Sequence, residues 1–215
     1  MTSETVTKRV VLVNGIPASG KSTLARALSR RFSLPVLTLD SLKEPFMSSF
    51  APVDRQRNRQ LGCAAYQAIW NIVAQSPADC VFLIDAWFGF QPKSVLEQGL
   101  KRAGVSEVLE VWMQIAPDAA VARYQSRLTQ RMPGHPGAEY LPELRRLAEE
   151  AQPMALGPML KVNASASAID EHAVGQWLAQ HLRWAGYTAS VKDETEEEEH
   201  ATATLSANGR ERRAL

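Results

Sequence analysis

Cysteine is nearly absent from this chain: 215 residues contain two, Cys63 and Cys80. Neither has metal-ligand spacing and both lie among apolar residues, which argues for buried thiols and against a zinc site or a disulfide framework. Net charge is nearly absent as well. A formal charge of +1 supplies no bulk attraction to nucleic acid or to an anionic membrane. Long hydrophobic runs are also missing. Behind the polar segment Met1–Arg9 the first apolar stretch is Val10–Val13, too short for a signal peptide or a membrane span. The expected location is therefore the cytoplasm, with no membrane partner. No internal repeat is visible. What remains is a chain whose hydrophobic content of 45% suits an ordinary buried core, and whose length corresponds to one domain with some residues to spare.

The spare residues have a different character. Residues 188–215 carry a net charge of −3 and include Asp193, Glu194 and Glu196–Glu199, which repel one another. They are expected to form a disordered acidic tail, leaving a mildly basic domain over residues 1–187.

The domain is organised around Gly15-Ile16-Pro17-Ala18-Ser19-Gly20-Lys21-Ser22. It matches G-x-x-x-x-G-K-[ST], the phosphate-binding P-loop. Gly15 and Gly20 let the backbone turn and approach a polyphosphate with no Cβ in the way. Backbone N–H groups from Ala18 to Thr23, at the start of the following helix, would point at the phosphates. Lys21 would reach the outer phosphates and Ser22 would ligate Mg²⁺. The motif lies between a β-branched strand and the amphipathic run Leu24, Ala25, Leu28, Phe32, the context it requires.

Strands and helices alternate from there. Strands are expected at Val10–Val13, Val36–Leu39, Cys80–Ile84, Val108–Ile115 and Met159–Val162. Helices are expected near Lys21–Arg31, Asp54–Ala74, Lys93–Ala103, from Pro117 with Val121, Tyr124 and Leu128 inward, Leu141–Ala151 and Ile169–Ala185, the last burying Val174, Trp177, Leu178 and Leu182. The segment Ser41–Asn58 reads as longer and more polar. This alternation predicts an α/β fold of three layers, with about five parallel strands covered on both faces.

Ligands of such sheets bind at the carboxyl ends of the strands. The second strand ends on Asp40 and the third on Asp85. Val81-Phe82-Leu83-Ile84-Asp85 has the four-apolar-then-acid pattern of a Walker B strand, which would make Asp85 a second Mg²⁺ residue. Asp40 suits a carboxylate that accepts a hydroxyl proton and aims the oxygen at a γ-phosphate; capping a following turn is the alternative. Arg123, Arg127 and Arg131 recur every fourth residue, as on one helix face leading into a mobile-looking Pro/Gly loop. Arg127 and Arg131 are the candidates for closing over the transferred phosphoryl group. His135 in that loop could touch phosphate or substrate.

The P-loop, Leu39-Asp40-Ser41-Leu42-Lys43-Glu44 and the strand-end Asp85 together resemble the small P-loop kinases that include polynucleotide kinase, zeta toxins and chloramphenicol 3-O-phosphotransferase. The resemblance spans roughly residues 8–187. It implies a nucleoside-kinase-like sheet in the order 2-3-1-4-5, and Asp40 as the base for the acceptor hydroxyl. No Asn-Lys-x-Asp guanine signature follows, so ATP is the expected phosphoryl donor. The function expected is an ATP-dependent kinase of a small hydroxylated molecule, with an antibiotic and a sugar-like metabolite among the candidate acceptors. Phe46, Phe50, Trp87, Phe88 and Phe90 suit an apolar pocket, or the core. The alternatives are a nucleic-acid 5′-hydroxyl kinase using Arg55, Arg57 and Arg59, a zeta-toxin-like nucleotide-sugar kinase, and a regulatory NTP switch without an acceptor. Nucleic acid is the less favoured partner, and the oligomeric state stays open.

Overall fold

The computed structural model describes residues 8–165 and 168–182. The expected tail and the domain boundary at residue 187 lie outside the described residues. Five strands form one parallel sheet: β1 (Lys8–Asn14), β2 (Val36–Thr38), β3 (Val81–Ala86), β4 (Val105–Gln114) and β5 (Met159–Asn163). Their order is β2-β3-β1-β4-β5, as expected. The connecting helices are α1 (Lys21–Phe32), α2 (Leu39–Ser49), α3 (Arg55–Gln75), α4 (Lys93–Ala103), α5 (Pro117–Gln125) and α6 (Leu141–Glu150). All belong to a compact unit ending at Glu171. The last helix is α7 (Glu171–Leu182), which from His172 onward makes up the described part of the second unit and in which Val174, Leu178 and Leu182 are buried. Trp177, expected inward, is half-buried and lies beside the His181 ring.

The sheet follows from its sequence. β1 and β3 are central and buried on both faces, which is why they read as unbroken apolar runs. Strand side chains alternate between faces. Val10 and Leu12 of β1, with Phe82 and Ile84 of β3, join Tyr66, Ile69, Trp70 and Val73 of α3 and Leu96, Leu100 and Ala103 of α4 in one core. Val11, Val13, Leu83 and Asp85 therefore face the opposite layer, where α1 packs against β1 and β3. The same alternation sets Asp85 beside the start of α1.

Helices α3 and α4 approach closely at Gly99. A Cβ there would lie 2.5 Å from the Trp70 ring, which is rigid and 1% exposed. Gly99→Ala is therefore expected to destabilise the fold by about 1–3 kcal/mol, the usual effect of overpacking. Urea unfolding should show a lower midpoint with an unchanged slope.

Three sequence expectations need correction here. The second strand stops at Thr38, pairing three residues with β3, and Leu39 already begins α2. Asp40 thus stands in the first turn of a helix whose N-cap residue is Thr38. The polar composition and the internal Pro45 obscured a helix whose inward positions are Lys43 and Met47. Next, α5 ends at Gln125, and a tighter single turn over Leu128–Gln130 follows. Arg123, Arg127 and Arg131 consequently do not share one helix face; Arg127 and Arg131 flank that turn. Tyr124 points inward as expected, together with Ala120, whereas Val121 and Leu128 are half-buried. Finally, Cys63 and Cys80 are free and half-buried rather than buried.

Candidate active site

The loop after β1 has the backbone its glycines allow. Gly15 has φ +154°, and a Cβ there would lie 2.8 Å from the Met113 carbonyl oxygen. Gly20 has φ +89° and precedes α1, whose first turn contains no acidic residue. Ala18 also lies in the left-handed region, at φ +69°, a conformation that costs a non-glycine residue energy and clusters at ligand sites. Ser19 is fully buried with its hydroxyl unpartnered. Lys21 folds back over the loop and its Nζ donates to the Ile16 carbonyl at 2.9 Å.

One cavity of about 490 Å³ opens above this loop. Ala18, Gly20, Lys21, Ser22 and Thr23 form its floor, and Asp40, Asp85, Arg127 and Arg131 line its walls. Gly15 and Ser19 belong to the loop but do not line the cavity. Arg123 does not line the cavity. The sequence-predicted residues from four separate segments are thus brought together.

The two carboxylates occupy different electrostatic settings. Asp85 is 2% exposed, and one carboxylate oxygen, Oδ2, has no hydrogen-bond partner. Burial raises its pKa; Lys21 and a hydrogen bond from the Ser22 hydroxyl oppose that rise. Asp40 is half open to the cavity and pairs with Lys43 Nζ at 3.0 Å. Burial pushes its pKa up as well, but Lys43, His135 and Lys21 outweigh that and hold the carboxyl below its ordinary range. Burial lowers the Lys21 pKa, and Arg127 and Arg131 push the same way, while Asp85 and Asp40 favour its charged form. Arg127 is lowered by burial and by repulsion from Arg131 and Arg123.

The segment Arg131–Gly137 is docked, not loose. Asn58 donates to the Gly134 carbonyl at 2.6 Å, and Tyr124 donates to the Pro136 carbonyl at 2.7 Å. Gly134, at φ +95°, passes so close to α2 and the residues before α3 that a Cβ would lie 2.9 Å from Val53. The Arg131 guanidinium stacks over the Tyr124 ring at 4.5 Å and donates to His135 Nδ1 at 3.0 Å. Because arginine can only donate, His135 Nδ1 accepts, and its Nε2–H then donates to Glu44 at 2.9 Å. Burial, with Lys43 adding to it, lowers the His135 pKa, which keeps this neutral form in place at neutral pH. His135 thus braces Arg131 and joins it to α2.

Sequence reasoning missed Lys43 as the partner of Asp40, although its i+3 spacing was available. Tyr124 beneath Arg131 was read only as core. Of the aromatic candidates, Trp87 and Phe90 line the cavity. Phe88 is core, and Phe46 and Phe50 are exposed away from it. Arg55 and Arg59 line the cavity too, and Arg55 is paired with Glu143.

A parallel sheet of this order with a phosphate-loop sequence after its first strand defines the fold of nucleoside-monophosphate-kinase-like proteins. Among solved structures, the chain is similar to a candidate kinase from Chloroflexus aurantiacus, at 26% identity and a TM-score of 0.69. That match covers 82% of this chain and 98% of the other. It shares its fold with a gluconokinase from Sinorhizobium meliloti, at 15% identity and a TM-score of 0.50, over 87% of this chain and 97% of the other. A shikimate kinase from Bacteroides thetaiotaomicron aligns at 17% identity and a TM-score of 0.49, over 82% of this chain and 98% of that one. No protein-family profile and no curated protein sequence matches the chain. Among the described residues, no helix is long and apolar enough to cross a membrane.

Proposed function

We propose that the protein is an ATP-dependent phosphotransferase acting on a hydroxyl of a small molecule. The observation that supports this most directly is one cavity lined jointly by the P-loop lysine and by Asp40, Asp85, Arg127 and Arg131. A second, lysine-paired carboxylate on the same cavity suits a protein that must orient an acceptor hydroxyl.

Each residue has a role in this reading. The N–H groups at the start of α1 and the Lys21 amine bind the polyphosphate. Ser22 and Asp85 would hold Mg²⁺: a hydroxyl beside a buried carboxylate oxygen with no other partner fits a hard cation that takes oxygen ligands. When bound, that ion would supply positive charge to offset that of the polyphosphate. Asp40 orients the acceptor hydroxyl and takes its proton as the new oxygen–phosphorus bond forms and the bond to the ADP oxygen breaks. Arg127 and Arg131 meet the charge spread over the transferred phosphoryl oxygens. The acceptor would lie towards Trp87 and Phe90, in a space large enough for a small molecule.

The test is ATP-dependent phosphorylation across hydroxylated metabolites, antibiotics and 5′-hydroxyl oligonucleotides, read by mass gain on the acceptor. Transfer to an oligonucleotide alone would replace the small-molecule reading, and MgATP binding with no transfer would support the switch. Arg127→Ala and Arg131→Ala are expected to lower kcat by about 10²–10³ and to weaken ATP binding far less, because their interactions strengthen in the transition state. An equal fall in ATP affinity would make them ground-state phosphate clamps.

A further inference from the structure

The fully buried Glu110 in the middle of β4 plays no part in the chemistry above, and a buried carboxylate needs partners. Its partners come from two directions. One oxygen accepts from the Asn14 side-chain amide at 2.7 Å and from the Met154 N–H at 2.9 Å; the other accepts from the Ala155 N–H at 2.8 Å. Asn14 is also fully buried, and it is the last residue of β1 before the P-loop. With its NH₂ turned to Glu110, its Oδ1 faces the other way and accepts from the Gly15 N–H at 2.8 Å and the Phe88 N–H at 3.2 Å.

We infer that Glu110 and Asn14 are positioning residues for the phosphate loop, holding Gly15 and the segment after Asp85 in fixed register. The inference rests on the nucleotide-binding reading given above. Amide orientation is what makes the device specific. A side-chain amide is nearly symmetric in shape, and its orientation is set from both ends, by the Gly15 and Phe88 N–H donors on its carbonyl and by an acceptor-only partner on its NH₂. Glu110 is that partner, and it is anchored from its far side by the backbone of residues 154–155. That backbone is itself tightly seated. Ala155 has φ +49°, and Gly157 passes so close to β4 that a Cβ would lie 2.0 Å from the Val108 carbonyl oxygen. The loop geometry at Gly15 is therefore set from a chain segment about 140 residues away, through two side chains that never meet the ligand.

Glu110→Gln, Asn14→Asp and the double variant test this by MgATP and MgADP affinity and melting temperature together. In Glu110→Gln the amide carbonyl can keep the Asn14 NH₂ and the Met154 N–H, but its NH₂ then stands against the Ala155 N–H, so the anchor of the Asn14 amide to the backbone of residues 154–155 is broken on one side. Nucleotide affinity is expected to fall about 10–100-fold. Asn14→Asp keeps the acceptor for Gly15 but sets two carboxylates together, so its affinity should fall as pH rises and the shared proton is lost. In the double variant the glutamine NH₂ donates to the carboxylate introduced at position 14 and its carbonyl takes the Ala155 N–H, which removes the clash of two carboxylates, so affinity should rise above that of Asn14→Asp and lose its pH dependence. Val73→Ala, a core truncation on α3, serves as the stability control. If Glu110→Gln lowers the melting temperature as that control does while nucleotide affinity stays at wild type, the inference fails. It also fails if the double variant shows no rescue or if neither single variant folds and the double variant does not bind nucleotide. A folded wild-type protein that binds neither nucleotide would instead overturn the nucleotide-binding reading itself.

Discussion

Asp40→Asn is expected to bind MgATP as the wild type does and to transfer its phosphoryl group to the acceptor roughly 10²–10⁴ times more slowly, the usual worth of a positioned general base. Binding should survive because the P-loop, Ser22 and Asp85 are untouched. Transfer should not, because an asparagine cannot take the hydroxyl proton. Against burial, Lys43, the aspartate's partner at 3.0 Å, holds Asp40 below the ordinary carboxyl range, so it is ionised at neutral pH and would act as a weak base. A weak base suits a loose transition state, in which little proton transfer has occurred when the leaving group departs. The effect should therefore lie towards the low end of that range. The acid limb of kcat should also fall below the pH at which a free aspartate titrates, since the depressed group stays ionised further into acid. Asp85→Asn should differ, raising the Mg²⁺ concentration needed for half-maximal rate as well as slowing transfer. Full acceptor phosphorylation by Asp40→Asn, with its Mg²⁺ requirement shifted instead, would reverse the two assignments.

The contrast between these carboxylates shows what could be read in the sequence. Asp85 was visible because it closes an unbroken apolar run, and a central parallel strand leaves no other pattern. The P-loop was visible because its conformation needs particular residues at particular places. Strand order could be anticipated from the resemblance. Asp40 was recognised as a residue but set on the wrong element. Its helix is short, contains a proline and buries a lysine, and each of these features weakens the apolar periodicity that identifies a helix. The arginines were found for a partly mistaken reason. Regular spacing suggested one helix face, whereas tertiary contacts to Tyr124 and His135 are what orient Arg131. Glu110 and Asn14 left no trace at all, because a single acid in an apolar strand has meaning only once its partners, 96 and 44 residues away in sequence, are in contact.

Lys21→Ala is the other change from which a large effect is expected: phosphoryl transfer should fall at least 10²–10³-fold, about the loss seen when one preorganised electrostatic donor is removed. The fold should remain. The Lys21 amine makes one hydrogen bond, to the Ile16 carbonyl, and its charge is disfavoured by burial and by Arg127 and Arg131. Removing it relieves the burial of a charge and that repulsion but also takes away the attraction to Asp85 and Asp40, so the melting temperature without nucleotide should stay close to that of the wild type. Stabilisation by MgATP should shrink, because mass-action stabilisation follows affinity. Lys21→Arg should not restore activity, since the planar guanidinium is bulkier than a compact ammonium and delivers its charge differently. The decisive measurement pairs turnover with the MgATP-induced shift in melting temperature. Undiminished turnover in a folded Lys21→Ala protein would mean that the phosphate loop is not where the phosphoryl donor binds.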